Sequence, residues 1–384
     1  MRMLCAGMVC CCLFSVTGLF TACSGEDDQY SLESFYNQYR VIPDTFAIAI
    51  AWNGTAATVT GDTDSVSIAI SGADVTVTST SSRYMELTVS GETADGSLLV
   101  YSDKAWGLIL NGVSITNADG PAINNQCSKW LYVTLTDGTE NTLTDGTTYA
   151  DAPANAKGEA IDQKGTFFSE GQIWFGGTGS LTVNGNAHNG IASDDYIVID
   201  NGTFSVTVAK TGTNGVKVND GMTINGGSLD ISVTADGARG IKNDSYMTIS
   251  GGTTTIKTTG ACKIETVDGV KDTTSCAGIK CDSLFTMTDG KLTITSTGDG
   301  GKGINSADIV KFSGGQLTVV TTGNNKQGKP KGVKSDKEVI LSGGTFESKV
   351  NKSKACDSGG DETPTIIGTP TAKTLDTRHV KVVF

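Results

Sequence analysis

This chain has little charge and almost no histidine: 18% of its 384 residues are charged and two are His. The two histidines, His188 and His379, fall in a turn and near the tail. A Ser-His-Asp triad is therefore a weak reading. No Cys-x-x-Cys spacing suggests zinc. The basic side is short, with a net charge of -12. That leaves no footprint for nucleic acid and a poor match to anionic lipid, although local basic rows can still meet acidic sugars. After the first 20 or so residues no apolar run is long enough to cross a bilayer as a helix. The 49 glycines form no phosphate loop; they recur at strand corners, where a turn needs positive φ or coils approach closely. What remains, rich in Gly, Thr, Ser and Asn, favours many short strands and turns.

The glycines keep time. Six of them, Gly190, Gly215, Gly240, Gly278, Gly303 and Gly332, each have another glycine twelve residues on: Gly202, Gly227, Gly252, Gly290, Gly315 and Gly344. After the first glycine stand Ile191, Val216, Ile241, Ile279, Ile304 and Val333, all β-branched. Pairs such as Ile197 and Ile199, or Met222 and Ile224, then alternate with polar residues. A second alternating run follows, as in Phe204-x-Val206-x-Val208. Period-two alternation marks strands with one buried face. A unit of about 25 residues cannot bury its apolar faces alone, but stacked copies can. The predicted fold is an all-β, right-handed parallel β-helix over 44–384, with regular coils over about 164–355 and looser coils before them. A β-propeller blade would need about 40 residues or more. The tail, 378–384, is expected to cap the last coil.

The start reads differently. Met1-Arg2, then an apolar run and small residues to Ala22, predict a secretory signal over 1–22. Residues 23–43 read as a tether, with a small helical cap at 30–39 as an alternative. Five cysteines remain beyond residue 23, an odd number for an oxidising export route. Cys262 and Cys276 flank an irregular segment and are candidates to staple it.

Two resemblances follow. "LFTACSGEDD" resembles a bacterial lipobox, which implies acylation of Cys23 and a lipid anchor in the membrane. The acids after that cysteine resemble the surface-export signal of Bacteroidetes-type lipoproteins. The implied location is the outer membrane, facing outward. "GLILNGVSITNADGPAINNQCSKWLYVTLTDGTENTLTDG" (Gly107 to Gly146), "NGIASDDYIVIDNGTFSVTV" and "GGKGINSADIVKFSGGQLTV" resemble a family of secreted bacterial carbohydrate-binding domains, right-handed β-helices related in shape to pectate lyases. The resemblance implies polysaccharide binding and bound calcium, without a demonstrated reaction in most members.

Within that frame, the outward positions carry the candidate chemistry. Tyr196 and Tyr246 share a column two coils apart, about 9.6 Å, with Gly221 as an open floor between them. That span is close to a β-1,4-linked disaccharide repeat. Trp174 lies one column across. Flat rings of this kind stack on sugar C–H faces, unless a neighbouring turn covers them. Lys217, Lys242, Lys280 and Lys334 recur two residues after the coil glycine. Lys217 and Lys242 would join the glycan site. A lyase would use such a lysine as base only if its pKa fell, and neighbouring carboxylates should raise it. Lys326, Lys329, Lys331 and Lys334 form a further basic group that suits a uronic or sulfated sugar. Stacked carboxylates repel unless lysines or a hard cation relieve them. The expected calcium ligands are Asp194, Asp195 and Asp220 in one group and Asp236 with Asp244 in a second, with Asp308 also free of a lysine in its coil. A polysaccharide lyase and a purely structural adhesin stay open as alternatives.

Overall fold

A computed structural model describes residues 44–384 apart from 65, 268, 275 and 327. The expected signal segment, the Cys23 anchor, the tether and the helical cap at 30–39 lie outside the described residues. Among the described residues there is no helix. Strands stack as parallel coils into a β-solenoid of about 11 turns.

Each regular coil contributes one strand to each of three faces. One coil, for example, is Asn189–Ser193, Tyr196–Ile199 and Thr203–Val208 on the first, second and third faces. The next is Val216–Val218, Gly221–Ile224 and Ser228–Val233, parallel and in register with it. On the first face the register aligns Ile191, Val216, Ile241, Ile279, Ile304 and Val333 in one buried column. Each such side chain contributes about 1.5–3 kcal/mol by leaving water.

The two glycine sets do different work. A Cβ on Gly240 would lie 2.3 Å from Ile256 Cγ2 and 2.6 Å from the Gly278 carbonyl oxygen. The first glycine of each unit is thus a close-approach position, where the coil closes against its own third strand. The second glycine turns the corner between the second and third faces: φ is +72° at Gly227 and +70° at Gly252, a region that disfavours side chains.

The ends depart from the repeat. Near the start, Thr45–Asn53, Tyr84–Thr93 and Trp106–Thr116 are long strands that serve two faces at once. The first of them pairs antiparallel with Ala56–Gly61. At the other end His379–Val383 runs antiparallel on Thr345–Val350 and on Ala372–Asp376, so the tail covers the last third-face strand. Both devices blunt sheet edges that would otherwise template further pairing.

The irregular segment between Cys262 and Cys276 is an antiparallel hairpin, Lys263–Val267 with Val270–Thr274. No disulfide closes it: both cysteines are buried free thiols. They do sit together, and the hydrogen bond from Cys276 holds the Cys262 thiol down to about 6.

Candidate functional site

The second face positions the aromatic residues. Inward Ile173 and Phe175 fix the strand Ile173–Gly177, so Trp174 between them points outward. Its register partners are Tyr132 on the preceding coil and Val198 on the next. Trp130, Tyr132 and Trp174 form a chain of rings, with centroids 5.9 Å and then 6.3 Å apart. Tyr132 is buried under its neighbours at 1% exposure, while both tryptophans stay half-exposed. Trp174 lies flat over Gly176, where a Cβ would meet the ring at 2.1 Å. Its Nε1 donates to Asp200 at 2.7 Å.

One column over, Tyr196, Gly221 and Tyr246 are in register, as the spacing predicts. The open floor is not there. Tyr196 lies across Gly221, whose absent Cβ would sit 2.6 Å from the ring, and its hydroxyl meets Thr223 Oγ1 at 2.5 Å. The ring centroids of Tyr196 and Tyr246 are 5.8 Å apart rather than about 9.6 Å. With no side chain at Gly221 to hold them apart, the rings close over it. No turn covers them, and both remain half-exposed. From Trp130 to Tyr246 this surface spans five coils, about 19 Å at the usual strand spacing. Trp130 and Tyr132 escaped the sequence reading because they belong to the looser early coils. The signal was present, since Leu131, Val133 and Leu135 alternate with outward residues.

The acids sit at the corner between the first and second faces. Asp194 and Asp195 are adjacent and turn to opposite sides. Asp194 accepts from Lys164 Nζ and, at 3.3 Å, from Asn219 Nδ2. It gathers with Asp162 and Glu170, all three carboxylates within 4.8 Å of one another. Burial and the charges of Asp194 and Asp162 raise the pKa of Glu170. Asp195 instead meets Asp220 of the next coil and accepts from Gln172 Nε2 at 2.5 Å. Burial first, and then the Asp220 carboxyl, push Asp195 up to about 7.

The expected group of Asp194, Asp195 and Asp220 is therefore two groups. The second expected group does not form: the strand Arg239–Asn243 separates Asp236 from Asp244, which lie beyond its opposite ends. Asp236 accepts from the Ala261 amide at the far corner. Asp308, expected to be unopposed, is paired with Lys337 at 2.9 Å. The lysine from a distant turn reaches it, which spacing within the coil cannot reveal.

Lys217 and Lys242 both bind Asp244, and Lys242 also reaches Asp282 at 2.8 Å. Lys280 pairs with Asp282, and Lys334 with Asp336. Lysine pairing thus relieves the first-face carboxylates, one of the two routes the sequence allowed. The direction of the lysine pKa differs from expectation. Burial pulls Lys217 and Lys242 below the usual amine value despite the nearby acids. The basic group near the chain end is split. Lys331 is buried in an ion pair with Asp357 at 2.6 Å, whereas Lys326 and Lys329 are exposed.

Comparison with known proteins bears on this geometry. The family model for carbohydrate-binding domain-containing proteins matches residues 71–239 and 222–325. A relative of that description from Acetivibrio thermocellus is 35% identical over 115 residues, which is 29% of this chain and 38% of the relative. The chain thus aligns with little more than a third of that relative's length. The solved structure of a polysaccharide lyase-like protein from C. thermocellum, a gadolinium derivative, superposes with a TM-score of 0.54 at 26% identity, covering 70% of this chain and 97% of that one.

Proposed function

The chain belongs to the family of carbohydrate-binding domain-containing proteins, and from that membership we propose that it binds a polysaccharide along its second face without cleaving it. The observation that carries this reading is the aromatic surface from Trp130 through Trp174 to Tyr196 and Tyr246, half-exposed and backed by rigid parallel strands. Such rings offer flat apolar faces with polar tips, matched to the C–H faces of pyranoses. A rigid scaffold loses little order on binding. Lys217 and Lys242, on the neighbouring face, are committed to Asp244 and give the acidic corner its balance rather than a free cation for the glycan.

Calcium suits the Asp195 and Asp220 corner best. Two facing carboxyls, one with its proton held to about 7, form an oxygen-rich site with unrelieved negative charge. Asp162, Glu170 and Asp194 offer a second oxygen set, but Lys164 already occupies it through Asp162 and Asp194. A bound ion would neutralise the corner and stabilise the folded coil. The protein reaches its glycan as an outer-membrane lipoprotein anchored through Cys23, with its surface facing outward.

The test is retention on insoluble and soluble polysaccharides, read with calcium and with EDTA. Trp174→Ala combined with Tyr196→Ala is expected to abolish retention; unchanged retention would refute the aromatic face. Loss of acylation in Cys23→Ala, followed by release from membranes, tests the anchor.

A lyase is the second reading, favoured by the lowered pKa values of Lys217 and Lys242. A base there would take the α-proton of a uronate as the 4-linked glycosidic C–O bond breaks and a C=C bond forms. Appearance of ultraviolet absorbance from the unsaturated product on polygalacturonate, lost in Lys242→Met, would establish it.

A further inference from the structure

On the opposite side of the solenoid from the acidic corner, third-face strands turn back to the first face. The corner turns 210–214 and 234–239 line a groove of about 580 Å³, and the inserted hairpin walls it through Lys263, Glu265 and Thr274. That volume lies within the range of small-ligand sites. The wall is fixed in place: Gly237 has φ +70°, and a Cβ there would be 3.0 Å from Lys263 Cβ. The Gly237 amide also donates to Ala261 O at 2.7 Å.

Arg239 lines this groove. Its Nε is shut off from solvent and has no hydrogen-bond partner, and no ion pair reaches its guanidinium among the described residues. Burial lowers its pKa, yet an arginine remains protonated. The negative groups around it are committed elsewhere. Glu265 is held by Lys263 at 2.7 Å and by Thr274 at 3.0 Å. Asp282 is held by Lys242 and Lys280. Asp236 accepts from the Ala261 amide at 2.8 Å, and the Cys262 sulfur accepts from Cys276. Lys210 adds a further cation to the lining. A buried donor left unpaired costs about 1–3 kcal/mol, more when charged. An incoming oxyanion would recover that cost, and the Nε edge of a guanidinium matches a planar carboxylate with two parallel N–H bonds.

We propose that this groove is a second glycan subsite, in which Arg239 receives a sugar-borne oxyanion, a uronate carboxylate or a sulfate ester. It rests on the carbohydrate-binding reading above but lies apart from the aromatic face. The hydroxyls of Thr211, Thr213, Thr234 and Thr274 line the same groove and supply partners for the sugar's own hydroxyls.

The experiment is calorimetric titration of the exported chain, in EDTA, with trigalacturonate and with its neutral methyl ester. Arg239→Gln is expected to weaken trigalacturonate by roughly tenfold or more and to leave the methyl ester unchanged. Trp174→Ala is expected to weaken both. Equal trigalacturonate affinity in wild type and Arg239→Gln would overturn the proposal while leaving the aromatic face intact. If Trp174→Ala changes neither ligand but Arg239→Gln does, the aromatic reading fails and this one stands. The Arg239 Nε–Hε resonance of the unaltered protein gives a readout free of folding effects. A saturable shift with galacturonate supports the carboxylate, and one with galactose 6-sulfate supports the sulfate ester. No shift with either refutes the site.

Discussion

Replacing Asp195 with Asn tests the acidic corner most directly. In the native protein its carboxyl is raised from 3.8 to about 7, first by burial and then by Asp220. That displacement corresponds to about 4 kcal/mol at a pH well above 7. Asp220 is exposed, so solvent screening reduces the figure to about 2 kcal/mol. The sign follows from proton binding. Between 3.8 and about 7 the native state keeps a proton that the unfolded chain has released, so stability falls as pH rises through this window. Asp195→Asn cannot ionise and keeps hydrogen-bonding capacity toward Asp220 and Gln172. It is expected to lose most of this pH slope and to exceed the wild type in stability at pH 8 by about 2 kcal/mol. Urea unfolding at pH 5 and pH 8 in EDTA, with carbon-13 titration of the Asp195 carboxyl, measures both quantities. Calcium in place of EDTA should flatten the wild-type slope, because a cation bridging the pair replaces the proton. A titration midpoint in the ordinary carboxylate range, or an equal slope in the variant, would refute the reasoning.

Three further outcomes are expected. Gly240→Ala should destabilise by about 1–3 kcal/mol in urea, because its Cβ meets Ile256 and the Gly278 carbonyl; an unchanged midpoint would show that the coil closes less tightly than described. Oxidised glutathione should join Cys262 to Cys276, since the thiols already touch at the base of the hairpin, and tryptic peptides should lose about 2 Da as a linked pair; two separately alkylated thiols would contradict this. Calcium affinity read by titration should fall in Asp220→Asn and hold in Asp236→Ala, because Asp236 stands at the other corner and serves the Ala261 amide; an equal loss in both would remove the corner as the site.

The sequence by itself determined the coil. Period-two alternation and the paired glycines specify three short strands per unit, and identical units can bury their faces only by stacking. The columns Ile191 to Val333 and Tyr196 to Tyr246 follow, because in-register parallel stacking places like offsets above one another. Those relations are local and periodic, which is why they are legible. Tertiary structure decided everything set by the third dimension of a corner. Adjacent Asp194 and Asp195 turn to different partners, so a run of acids does not make one cluster. Tyr196 and Tyr246 close to 5.8 Å because a ring pivots about its own Cβ into space that Gly221 leaves empty. Lys337 reaches Asp308 from a different turn, and the hairpin wall brings Lys263 over Gly237 beside Arg239. Side-chain rotamers and inserted segments carry no repeat, so periodicity fixes the backbone ladder and leaves the charge pairing to packing.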